Sequence, residues 1–199
     1  MTPGGEVAGE APVFATGEPS SGAEIVAALV RLHEESERYL AAIPGAEFVA
    51  PQGAQGEKWS PADHTRHLAK STFPVVKALG LPKIVLRVMF GRASAPSRAF
   101  PELRELYRAR LAKGASAGRF TPSKRPIPAD PAVWQIEVLG RWRTAVTALT
   151  AAIPRWQEPA LDRYRLPHPL LGPLTVREML FFTQYHNAHH LNLVASRRD

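Results

Sequence analysis

The chain has 199 residues, 45% of them apolar and 22% charged, a net charge of +7 and no cysteine. That suits a soluble globular protein with a sizeable core and excludes disulfides, thiolate metal sites and a cysteine nucleophile, so a bound metal must rest on His, Asp or Glu. No window approaches 18 uncharged apolar residues and no basic-then-apolar leader opens the chain, so no membrane partner is expected and the location is expected to be cytoplasmic.

Residues 1–22 are rich in Gly, Pro, Ala and Glu without periodicity and read as a mobile tail; 23–199 read as a single domain. A first long helix is expected from about Ala23 to Ile43, with Ile25, Leu29, Leu32, Ser36, Leu40 and Ile43 on one stripe. His33 falls one residue off that stripe and reads as a surface side chain. Pro44-Gly45 closes the helix, and a turn-rich loop leads to Trp59-Ser60-Pro61-Ala62-Asp63. That stretch is a strong helix start, with Ser60 as N-cap, Pro61 in the first helical position and acidic Asp63 in the first turn. The second long helix carries His64, His67, Leu68, Val75 and Leu79; Pro74 should kink or break it near Phe73. Periodicity alone does not say whether His64 or His67 points inward.

Residues 81–130 form a long connection with short helices expected at Lys83–Phe90 and Pro101–Lys113. Between Lys83 and Arg125 there are 11 Lys/Arg against two acids, so the excess positive charge belongs to this insert. It reads first as a solvated basic surface. Stacking-spaced aromatics are missing, so nucleic acid is not the expected partner. Fifty residues is far more than a hairpin needs and permits a crossover that would leave the flanking helices parallel. A third long helix is expected from about Ala132 to Ile153, with Leu139, Trp142, Val146, Leu149 and Ile153 as its buried stripe. Arg155–Pro173 reads as irregular, with His168 structural. A capping box of Thr175 and Glu178 opens the fourth, which runs to about Ser196. No convincing strand pattern is present, and an all-α four-helix bundle is the expected fold.

The fourth helix holds the chemistry. In Met179–Leu193 the stripe Met179, Phe182, His186, His189/His190, Leu193 puts histidines on the face expected to be apolar. His186 and His190 are one turn apart, so their imidazoles can converge. Buried polar groups need partners, and a divalent metal is the simplest shared one. Two histidines from this helix and one from the second would make a three-imidazole site with an open position for water or a small-molecule substrate. The zincin motif is excluded, because Asn187 stands where its Glu would follow the first His. Tyr185, beside His186, is the candidate general acid.

Two blocks then resemble the DinB/YfiT-like superfamily. The first is Trp59-Ser60-Pro61 with His67-Leu68. The second is His168-Pro169 and Gly172-Pro173-Leu174-Thr175 leading into Glu178, Phe182, His186 and His190-Leu191. The resemblance spans about 20–198 and implies an up-down-down-up four-helix bundle. It implies His67, His186 and His190 as metal ligands, with His64 and His189 as neighbours or supporting groups. It also implies zinc or nickel as the metal, a thiol-dependent S-transferase or small hydrolase activity, and a homodimer. With no cysteine in the chain, a low-molecular-weight thiol would come from outside. The alternative is a non-catalytic, stress-related binding protein of the same fold.

Overall fold

The computed structural model describes residues 11–53 and 55–196. Among these, eight α-helices and one small sheet form, in the order α1 (Gly22–Ala41), α2 (Gly45–Val49), α3 (Pro61–Leu79), α4 (Lys83–Phe90), α5 (Phe100–Ala112), α6 (Pro131–Ala152), α7 (Glu158–Arg163), β1 (Arg165–His168), β2 (Gly172–Thr175) and α8 (Val176–Ala195). The four long helices start where their side chains can satisfy the first-turn N–H groups. Ser21 and Glu24 form a capping box on α1, and Ser60 caps α3 ahead of Pro61. Asp130 caps α6 through the N–H groups of Ala132 and Val133, and Thr175 with Glu178 caps α8.

Each long helix packs on two others: α3 on α6 and α8, and α1 on the same pair. Their stripes bury Ile25, Leu29 and Leu32 of α1, Leu68 of α3, Leu139, Trp142 and Leu149 of α6, and Leu180 and Leu191 of α8. Each such aliphatic side chain contributes roughly 1.5–3 kcal/mol on leaving water. The core divides into two clusters, one around Leu86, Leu149, Ile153 and Phe181, the other around Phe48, Leu68, Trp142 and Val194. Along α8 the change from one cluster to the other falls between Phe181 and Ala188, where His186 sits.

Several sequence expectations are corrected. α3 runs unbroken through Pro74; that residue is exposed, so the carbonyl losing its backbone partner is on the accessible side. His33 is buried, its ring 4.6 Å from that of Trp142 in an edge-on contact and its Nε2 3.5 Å from Glu37. α8 is buried on most of its circumference rather than along one stripe, because α1, α3, α5, α7 and both strands surround it; Phe182 and Leu193 are only half-buried. The stretch read as irregular contains the antiparallel hairpin β1–β2, in register Arg165↔Thr175 through His168↔Gly172. Pro167 and Pro173 face each other there, which removes the ladder donors that make a strand legible. Gly172, at φ 74°, completes the turn between the strands.

The expected tail has, in its described part, a place on α8. The N–H and C=O of Phe14 bond the Asn192 side chain at 2.8 and 3.0 Å, and the Thr16 and Ser20 carbonyls accept from Gln184 and Arg177. Residues 1–10 lie outside the described residues. The connection is likewise tied to α8. Arg98 donates to Glu178 through Nε at 2.7 Å and through its backbone N–H at 3.0 Å. Ser97 Oγ bridges Asp162, at 2.6 Å, and Thr175, at 2.7 Å. No helix among the described residues is long and apolar enough to cross a membrane.

Candidate metal centre

α3 and α8 pack face to face, and that contact brings their histidines together. His67 Nε2 and His186 Nε2 are 2.9 Å apart, across 119 residues of chain. His190, one turn after His186, completes a group of three whose candidate ligand atoms all lie within 4.8 Å of one another. Nitrogens shared by a zinc ion at about 2.0–2.1 Å stand roughly 3.3 Å apart, so small side-chain adjustments suffice. No fourth His, Asp or Glu joins the group among the described residues.

The donors are in the form a metal needs. Burial lowers the pKa of His67, His186 and His190 below the ordinary histidine range, and neighbouring imidazoles lower the last two further. All three are then neutral, with a lone pair each. His67 Nδ1 lies 3.0 Å from the Phe120 carbonyl, which can only accept, so the proton sits on Nδ1 and the lone pair on Nε2. His190 Nδ1 lies 2.8 Å from His64 Nδ1. A bond from a ligand's far nitrogen to a fixed group is the usual way an imidazole is oriented toward a metal. The three residues therefore fit a divalent ion by donor type, protonation and support.

Around them the arrangement is aromatic. Trp59, just before α3, lies over the group, stacked on His190 at 5.9 Å and tilted against His67 at 5.2 Å. Phe182 stacks on His186 at 5.0 Å. A cavity of about 880 Å³ opens onto the imidazoles and is walled mostly by apolar groups from α3, α5, the hairpin and α8. His189 lines it as well, and also a smaller cavity of about 460 Å³ that holds Tyr185. Tyr185 is stacked on His189 and kept protonated by burial, but it is not among the residues lining the cavity at the imidazoles. Tyr107 of α5 is, with its phenol pushed up to about 12 by burial. Sequence reasoning missed Tyr107 because it lies in the connection, about 80 residues from the histidines it approaches. It also read His168 as only structural, whereas His168 lines the same cavity, with burial bringing its pKa down to about 4.

These features define a helical protein with a largely buried three-imidazole group able to hold a metal ion. A sequence model of the DinB superfamily matches residues 52–194, and the chain belongs to that superfamily. The match includes α3, α8 up to its penultimate residue, and all three histidines. No curated protein and no solved structure matches the chain.

Proposed function

We propose that the protein is a metal-dependent enzyme. Its divalent ion, zinc or nickel, is held by His67, His186 and His190, and its activity is thiol-dependent S-transfer or hydrolysis of a small molecule. The observation carrying this reading is the convergence of three neutral imidazoles from two helices, His67 and His186 buried and His190 half-buried, beside a cavity large enough for a small molecule. Such an ion, when bound, supplies a Lewis acid that activates water or a thiol and polarises a substrate oxygen. The chain's own residues do the rest. The Phe120 carbonyl fixes the His67 tautomer, His64 steadies His190, and the apolar wall with Trp59 limits water around the reacting groups. Tyr185 remains the candidate proton donor on the His189 side. A thiol cosubstrate is drawn from solution, where the positive connection favours an anionic one.

The fold belonging to this reading is a four-helix bundle in up-down-down-up order, formed by α1, α3, α6 and α8 over 23–199 and working as a homodimer in the cytoplasm. The mutual packing of those four helices and the 51 residues between α3 and α6 support it. A second reading, a non-catalytic stress-related protein with a closed site, draws on one observation: His64 stands beside His190 and could close the coordination.

Metal analysis by mass spectrometry on untagged protein tests the proposal. About one equivalent is expected in the parent and little in His67→Ala or His190→Ala. A parent that takes up neither zinc nor nickel ends the metal reading. With cobalt in the site, a spectral change on adding thiol distinguishes an open site from a closed one.

A further inference from the structure

The walls of the 880 Å³ cavity include no aspartate or glutamate among the described residues; Lys77 and Arg119, both exposed, are the charged side chains that line it. A cationic ligand would lose hydration there and meet no counter-charge, whereas an anion meets positive potential. The size falls in the upper part of the range for small-molecule sites.

Besides the candidate ligands, two buried polar side chains line the cavity, His168 and Tyr107. His168, 8% exposed, accepts at Nδ1 from the backbone N–H groups of Leu170, at 3.2 Å, and Leu171, at 3.0 Å. With Nδ1 committed as acceptor, the neutral ring carries its proton on Nε2. That N–H has no hydrogen-bond partner among the described residues, and neither has the hydroxyl of Tyr107, which is 5% exposed. Both rings rest on Phe182, with centroids 4.1 Å away for His168 and 5.0 Å for Tyr107. Phe182 in turn stacks on His186. Two donors, each more than nine-tenths buried, thus flank the ring that backs a candidate ligand. Neither atom is among the fully enclosed side-chain atoms that lack a partner, so each still reaches solvent space, where a bound acceptor can take the place of water.

We propose that the cavity takes an apolar carboxylate or related acyl compound, its chain against the apolar wall and its oxygen held by Tyr107 Oη–H and His168 Nε2–H beside the imidazoles. This deepens the functional reading above by naming the substrate class of the same site. Tyr107 and His168 are positioning residues here.

Calorimetric titration of the full-length protein with decanoate, and with decyltrimethylammonium as a cation of equal chain length, tests it. Decanoate is expected to bind at least about 10-fold more tightly than the ammonium. Tyr107→Phe and His168→Phe are each expected to weaken decanoate by about 10-fold and leave the ammonium unchanged, at a parent-like melting temperature. Equal affinity for the two probes overturns the proposal, as does parent-like decanoate binding by Tyr107→Phe or by a folded His168→Phe. Metal content measured on the same samples separates the two ideas. Decanoate binding without uptake of zinc or nickel leaves this inference standing and ends the metal reading; uptake of either ion without decanoate binding does the reverse.

Discussion

The Phe120 carbonyl sits 3.0 Å from His67 Nδ1, so the connection between α5 and α6 sets the tautomer of a candidate ligand on α3. The short 3-10 turn Gly118–Phe120 presents that carbonyl, and Gly118 enters the turn at φ 50°. A β-branched residue is strained in that conformation, by about 1–2 kcal/mol. Gly118→Val is therefore expected to displace the carbonyl and weaken metal binding by about 10–100-fold, the range seen when an imidazole loses its supporting bond. Chelator competition measures this. Unchanged affinity would show that the turn does not orient His67.

His64 is expected to act on affinity rather than on stoichiometry. Its Nδ1 is 2.8 Å from His190 Nδ1, and His64 itself stands outside the group of three. His64→Ala should keep about one equivalent of metal but bind it about 10-fold more weakly, and His189→Ala should keep the parent's affinity. His186→Ala should lose the ion. If His64→Ala loses the ion as completely as His186→Ala, His64 is itself a ligand and the closed-site reading gains.

Glu178 is buried at 4% exposure and closes the cap of α8 while accepting from Arg98. Arg98→Ala leaves the carboxylate two of its donors lighter in charge support, but the arginine side chain is 37% exposed and solvent screens the pair. A loss of about 1–2 kcal/mol is expected for Arg98→Ala, and more for Glu178→Ala, which also removes the cap bond. Urea unfolding measures both. A Glu178→Ala variant as stable as the parent would mean that the connection is not anchored at this point.

Acid should loosen the same corner. The Arg177 guanidinium, with help from Ser97, holds Asp162 below its ordinary value of 3.8. The unfolded chain therefore binds the proton first. The stabilisation is complete above pH 3.8 and is lost as pH falls through the lower, folded-state value. Asp162→Asn is expected to be less stable than the parent at neutral pH and to show a shallower acid limb in thermal melts between about pH 5 and pH 2. An identical acid limb in both proteins would remove Asp162 from the account.

The amino-acid sequence by itself determined the local facts. Ser60-Pro61 and Thr175-x-x-Glu178 state where α3 and α8 begin, because caps are satisfied within a few residues of backbone. The spacing of His186 and His190 states that their imidazoles share a face, because a helix repeats every 3.6 residues. The resemblance in those two blocks agrees with the superfamily assignment. Other features were hidden for physical reasons. Pro167 facing Pro173 erased the hairpin's signature, and the burial of His33 depends on where Trp142 of another helix lands.

Periodicity left open whether His64 or His67 points inward, the resemblance implied His67, and only the tertiary structure shows the packing that separates them. Both lie on α3, and period alone leaves them equivalent; packing against α8 brings His67 Nε2 to His186 Nε2 and His64 Nδ1 to His190 Nδ1. It likewise carried Tyr107, His168 and the Phe120 carbonyl to the same cavity from three separate segments. Their sequence separations carry no periodic signal. The chain meets there because buried helices and the loops that cover them must fill one shared volume and satisfy one another's polar groups.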